Sequence, residues 1–338
     1  MRVLVLMHED GVPPRSIAGL TEQQVRPFRM EFDVTNAVQG LGHEVLALGL
    51  ADDLRALREA LDRFRPRITV NLLEDFHGVR HYDLYVVGFL ELMKRRYTGC
   101  NPRGLMLAHD KALSQKILAY HRIPVPDFAV FPLGHRFRMR RGLSFPLFVK
   151  SATEEGSEGI AQASIVHSEQ QLRERVEFIH DKILTDAMAE SYIDGRELYV
   201  GVLGNGLLRT LPIWELRFTK VPEHAPRVAT SRVKWNPAYQ ERHGIVWGPA
   251  EGLPAGTAER IRRTCKRVYR ALSLTGCARI DLRLAADGRF YVLEANPNPD
   301  LAGDGELAES AAAGGLPYPD LIDRLLRLGL GYRAGWSD

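Results

Sequence analysis

Two short alternating runs near the C-terminus carry the residues best suited to chemistry, in the segment ARIDLRLAADGRFYVLEANPNPD. Asp287-Gly288 is a hairpin turn signal between them. A period of two places Arg279, Asp281 and Arg283 on one face of the first strand, and Ile280, Leu282 and Leu284 on the other. On the second strand Glu294 and Asn296 share a face. One rigid hairpin can thus present an arginine, an aspartate, a glutamate and an asparagine. Hard oxygen ligands, few in number and held on strands, suit Mg²⁺ bridging nucleotide phosphates. The plainer alternative is a solvated sheet face of alternating charge. The NPNP segment disfavours it, because it ends the strand at the acidic pair.

The rest of the chain must position this hairpin. Val3 to Met7 is an unbroken apolar run that predicts a fully buried strand. A helix near residues 28–41, the strand HEVLALGL, the helix DDLRALREALDRF and the strand RITVNLL follow. That helix sets Leu54, Leu57 and Leu61 on one face. The alternation predicts an α/β unit with a parallel sheet. A helix over 82–94 leads to YTGCNPRG, read as a loop, and then to a helix over 110–120. IPVPDF breaks the pattern near Pro124. Beyond it, FPLFVK, AQASIVHS, AMAESYI, RELYVGVLG and LLRTLPIWEL predict strands, with a helix starting at Ser168. Residues 217–254 show little periodicity and predict a long loop, before helices near 258–272 and at PDLIDRLLRLGL.

The hairpin resembles the metal-binding hairpin of ATP-grasp ligases, close to the D-alanine–D-alanine ligases. By that resemblance Asp281, Glu294 and Asn296 hold two Mg²⁺ ions on ATP phosphates, with Mn²⁺ as a substitute, and Arg279 stabilises the acyl-phosphate and tetrahedral states. The run YTGCNPRGLMLAHDKALSQKILAYHRIPVP is similar to the family's "YTG…DK…K…GIPVP" and matches Lys111 to a lysine near the phosphates. FPLFVK resembles a strand ending in a phosphate-binding lysine, Lys150. EEGSEGI, with Ser157, looks like the glycine-rich lid, where backbone N–H groups approach phosphate. AESYIDGRELYV resembles the nucleotide hinge, which implies adenine beside Glu190 and Tyr192 and ribose hydroxyls on Glu197. Lys234 matches a lysine on the flexible loop that reaches the phosphates. The likeness spans roughly residues 70–329. It implies an α/β (α+β) ATP-grasp architecture, with a parallel pre-ATP-grasp domain over 1–109, a small lobe over 110–200 and a large lobe over 201–338.

The substrate elements depart from the family. The Gly-rich turn after the first strand, with its ammonium-holding glutamate, is replaced by HEDGVPPRSIAGL, where Glu9 is the nearest acid. A glycine that joins the arginine in an oxyanion hole is here Asp300, and Gly305 stands near a carboxylate-binding serine. Negative charge from Asp300 opposes a developing oxyanion unless it meets a cationic amine. LLEDFHGV offers Glu74, Asp75 and His77, but in no strong zinc spacing.

The 338 residues carry net charge +3, too little to imply nucleic acid, and RFRMRR reads as a solvated basic loop. Three cysteines without a CxxC pair fit a reducing cytoplasm, and no run approaches the ~20 apolar residues of a membrane span. The expected activity is an ATP-dependent ligase that joins a small carboxylate to an amine through an acyl phosphate, with substrates other than two D-alanines. Exposed faces of the N-terminal unit admit a homodimer. The alternatives are a ligase acting on a peptide or protein terminus, and a non-catalytic nucleotide-binding protein.

Overall fold

The computed structural model describes residues 1–139, 142–154, 161–220, 230, 233 and 236–335. At its N-terminus β1 (Arg2–His8) lies between β2 (Glu44–Leu50) and β3 (Ile68–Asn71), all parallel. Helices α1 (Glu22–Val25), α2 (Arg29–Gly40), α3 (Leu54–Arg63) and α4 (Asp83–Leu92) follow the chain around this sheet. The two faces of β1 feed separate cores. Leu4 and Leu6 pack with Leu57 and Leu61 of α3, whereas Val3, Val5 and Met7 pack with Val34 and Val38 of α2. A central parallel strand is buried on both sides, so its sequence is continuous rather than alternating in polarity.

YTGCNPRG is only partly the expected loop. Helix α5 (Pro102–His109) begins within it, with Asn101 accepting from Gly104 N at 2.9 Å and Pro102 at the first helical position. Proline is tolerated there because that N–H has no partner inside a helix. Helix α6 (Lys111–Tyr120) follows at once, capped by Asp110, which accepts from Leu113 N at 2.8 Å.

A four-stranded antiparallel sheet comes next, in the order β4 (Phe128–Phe131), β7 (Ala187–Ser191), β5 (Leu147–Ser151), β6 (Ile165–Val166). Helix α7 (Glu169–Phe178) packs Leu172 and Val176 into its core, and Ser168 caps it as expected. Of AQASIVHS only Ile165 and Val166 form strand, after a single 3₁₀ turn.

The larger sheet contains β8 (Gly195–Leu203), β9 (Arg209–Thr210), β10 (Trp214–Phe218), β11 (Ile245–Pro249), β12 (Cys277–Ala285) and β13 (Phe290–Asn296). Its order is β11-β10-β8-β12-β13, with β9 on β8. Residues 217–254 therefore hold more than a loop. Helix α8 (Pro237–His243), capped by Asn236 and closed by Gly244 in a left-handed conformation, leads into the edge strand β11. Both elements are too short to show a period. The break expected between 200 and 201 falls inside β8, which pairs with β12 from Gly195 to Leu203. Helix α9 (Thr257–Ala271) covers the back of the sheet, where Ile261, Cys265 and Val268 meet Ile280, Leu282 and Leu284. Helix α10 (Glu306–Ala313) was not foreseen. Helix α11 (Tyr318–Gly331) returns to the N-terminal sheet, packing Leu321, Ile322, Leu325 and Leu326 against the β1 face that also receives α2.

Candidate active site

The β12–β13 hairpin forms with Arg279 opposite Asn296 and Asp281 opposite Glu294, and its register shifts between Asp281 and Leu282. Without that irregularity Asp281 and Glu294 would not be direct neighbours while Leu282 faces Val292. The back face, Ile280, Leu282 and Leu284, is buried against α9. That burial fixes the orientation of the polar front, because a one-residue slip would expose the apolar row.

On the front, Arg279 donates Nε to Asp281 Oδ1 at 2.8 Å and Nη2 to Oδ2 at 2.9 Å, while Nη1 reaches Glu306 Oε1 at 3.3 Å. Its guanidinium carbon lies 5.1 Å from the centroid of the Tyr199 ring. Burial opposes the charge on Arg279, but Asp281 and Glu306 outweigh it and hold the guanidinium firmly protonated. Asp300 accepts from Ala302 N at 2.8 Å. Its carboxyl is pushed above the usual range by burial and then by Glu306 and Asp304, which Arg279 only partly offsets. Asn296 Oδ1 accepts from Asn298 N at 2.8 Å.

Two lysines approach the hairpin from the other elements. Lys111, at the start of α6, donates to Glu154 O at 2.8 Å and sits 3.7 Å from Glu294 Oε2. Lys150 on β5 donates to Glu190 Oε1 on β7 at 2.9 Å. Burial disfavours its charge, yet Glu190, Glu294 and Asp281 together raise its pKa. Both lysines therefore lie near the hairpin carboxylates. Ser157 and Lys234 lie outside the described residues.

The residues expected at a nucleotide hinge, Glu190, Tyr192 and Glu197, are each hydrogen-bonded. Glu190 takes a second bond from Gln115 Nε2 at 3.0 Å, and Gln115 also donates to Leu293 O at 3.2 Å. Tyr192 N donates to Pro146 O at 3.0 Å. Glu197 is bonded within the sheet, accepting from Arg283 Nη2 at 2.7 Å and from the Tyr199 hydroxyl at 2.6 Å. Gln115 and Tyr199 were missed by sequence reading. Gln115 is legible only as a polar residue on the inner face of α6, and Tyr199 looks like an ordinary strand aromatic. Glu9 is exposed just beyond β1. Among the described residues no group of three or more His, Cys, Asp or Glu side chains could hold a metal, including Glu74, Asp75 and His77. The hairpin instead offers two carboxylates and one amide oxygen. Such a partial set of hard oxygens fits Mg²⁺, whose shell is completed by phosphate and water.

A family model described as "D-ala D-ala ligase C-terminus" matches residues 117–327, well over half of the chain. The chain belongs to the D-alanine–D-alanine ligase family. It is an ATP-dependent ligase of the ATP-grasp fold that forms a carbon–nitrogen bond. This ligase is 31% identical over 316 residues to the uncharacterized protein y4sG of Sinorhizobium fredii, covering 88% of this chain and 86% of the relative. It is 30% identical over 316 residues to the D-alanine–D-alanine ligase of Desulforudis audaxviator, covering 92% and 96%. Its fold matches the D-alanine–D-alanine ligase from Bacillus anthracis complexed with ATP, at TM-score 0.75 and 23% identity over 98% of this chain and 97% of that one. The VanG D-Ala:D-Ser ligase from Enterococcus faecalis matches at TM-score 0.70 and 17% identity, covering 97% and 99%. Among the described residues no helix is long and apolar enough to cross a membrane.

Proposed function

We propose that this ligase activates a small carboxylic acid with ATP and couples it to an amine that carries an additional positive charge, rather than joining two D-alanines. The observation that carries the substrate assignment is the acidic surround of Arg279. Glu306 reaches Arg279 at 3.3 Å, and Asp300 lies close enough to both that each shifts its carboxyl. A neutral acceptor gains nothing from carboxylates beside a developing oxyanion, whereas a cationic one offsets their charge.

In this mechanism Lys111 and Lys150 hold the phosphates, and Glu190, the Tyr192 backbone and Glu197 hold the nucleoside. Asp281, Glu294 and Asn296 hold Mg²⁺, which when bound supplies charge neutralisation across the transferring phosphoryl group. The substrate carboxylate attacks the γ-phosphorus and ADP leaves. The amine then attacks the acyl carbon, Arg279 stabilises the oxyanion, and inorganic phosphate departs as the amide forms. Asp300 receives the amine's proton or fixes its cation. The work is mainly positioning and electrostatics. Three free, buried cysteines support a reducing, cytoplasmic setting.

The test is phosphate release from ATP and Mg²⁺ across pairs of acids and amines, with Asp281→Ala as control. Release is expected to require one acid with a cationic amine and to vanish in the control. Asp300→Asn should raise the amine KM about tenfold, the loss of roughly one charge-assisted contact. Efficient release with D-alanine alone, or an unchanged amine KM in Asp300→Asn, would refute the substrate assignment.

A further inference from the structure

A buried cluster joins three segments distant in the chain. Asp83 is the first residue of α4 and is only 1% exposed. His109, the last residue of α5, donates Nε2 to Asp83 Oδ2 at 2.9 Å. Asn298, in the loop after β13, donates Nδ2 to the same oxygen at 2.9 Å. Among the described residues Asp83 Oδ1 is buried without a hydrogen-bond partner. A carboxylate so enclosed is costly, and the N-terminal end of α4 offsets only part of that cost. A stability role alone would be served as well by an apolar contact of the same size.

The two donors explain why the carboxylate is there. Asn298 also donates its backbone N to Asn296 Oδ1 at 2.8 Å. That oxygen belongs to the amide assigned above to Mg²⁺, so Asn298 sets the orientation of the Asn296 side chain. His109 stands two residues before Lys111 and directly before Asp110, the residue that caps α6. One buried oxygen thus clamps the segment that ends in the phosphate lysine to the segment that begins at the metal-holding amide. The gap it spans is the one across which Lys111 and Glu294 face each other at 3.7 Å.

We infer that Asp83, through His109 and Asn298, is a positioning residue that presets the spacing between Lys111 and the Asn296 side chain, and so the affinity of the hairpin for a divalent cation beside nucleotide phosphates. This rests on the assignment of Asn296 as a metal ligand. Partners that orient ligands from outside the coordination shell change metal affinity by about 10–100-fold when removed. Asp83 acts through His109 and Asn298, so its effect should appear in binding.

The experiment measures Mn²⁺ bound to the full chain by electron paramagnetic resonance with a non-hydrolysable ATP analogue, alongside thermal melting. Asp83→Asn and Asn298→Ala should each weaken Mn²⁺ binding about tenfold. The double variant should lose little more than either, since the two act in series. Asn296→Ala is the control for the metal assignment. If it weakens Mn²⁺ binding while Asp83→Asn and Asn298→Ala lower only the melting temperature, the positioning role is overturned and the metal assignment stands. If Asn296→Ala also leaves Mn²⁺ affinity unchanged, both fall together. Asn298→Ala removes a donor from a half-buried loop and tests the coupling should Asp83→Asn fold poorly.

Discussion

At the scale of single residues, burial raises the carboxyls of Glu31 and Asp300 above their usual range. Glu31 on α2 is the measurable case. Burial raises its pKa from the usual 4.5 to about 6, against a backbone hydrogen bond that lowers it, and Asp300 adds to the rise. A carboxyl raised in the folded state binds its proton more tightly there than in the unfolded chain. Between pH 4.5 and about 6 the unfolded state is therefore the more ionised, and stability falls as pH rises through that window. The full difference corresponds to about 2 kcal/mol. Glu31→Gln should recover on the order of 1–2 kcal/mol at pH 7.5 and flatten the dependence over that window, as read by denaturant melts at several pH values. Gly303 N donates to Asp33 Oδ2 at 3.0 Å, and this bond ties α2 of the N-terminal unit to the Asp300 loop, which no local pattern announces.

At the scale of elements the hairpin is a two-sided device. Its front carries Arg279 and Asp281; its back, Ile280, Leu282 and Leu284, is sealed by α9. The chemistry depends on the back, because strand register and orientation follow from that burial. Ile280 is fully buried. Ile280→Ala should cost about 2–5 kcal/mol by cavity formation. Because Ile280 lies between Arg279 and Asp281, phosphate release at a temperature where the variant remains folded should fall as well. A variant that loses stability with full activity would show that the front is positioned independently of the core. The α5 and α8 helices illustrate the opposite case, elements that exist because of caps. Asn101 and Asn236 each bond the backbone N–H three residues on, and the flanking prolines concealed the helices.

At the scale of the whole molecule, the groups proposed to hold the nucleotide come from both antiparallel sheets. Lys150 and Glu190 belong to the smaller one, Asp281, Glu294 and Glu197 to the larger, and Gln115 of α6 contacts both through Glu190 and Leu293 O. A nucleotide held by all of them ties the sheets together. Mg²⁺-ATP at 100 times its dissociation constant should stabilise the protein by about 2.7 kcal/mol, with a melting temperature that rises with ligand concentration. The increase should shrink in Lys150→Met, and an equal increase in that variant would remove the smaller sheet from the nucleotide site. For the organisation of the chain we propose units that close before Asp110 and before Gly195. The second edge follows from β8 being continuous in the larger sheet, and α11 belongs physically with the first unit.

The sequence by itself determined the hairpin and its two faces, while the order of the expected phosphate and hinge motifs came from the resemblance to ATP-grasp ligases. The hairpin depends on a period of two and a turn dipeptide, so its neighbours in space are neighbours in the chain. The parallel N-terminal unit was legible for the same reason, since strand and helix periods alternate along it. Tertiary structure alone decided which carboxylate each cation meets. Glu306 with Arg279, Arg283 with Glu197 and Asp83 with His109 and Asn298 are separated by 27, 86, 26 and 215 residues. It also decided that the last helix packs on the N-terminal sheet. Such pairings follow from how sheets and helices pack, and packing responds to total buried surface and shape, which no local window of sequence records.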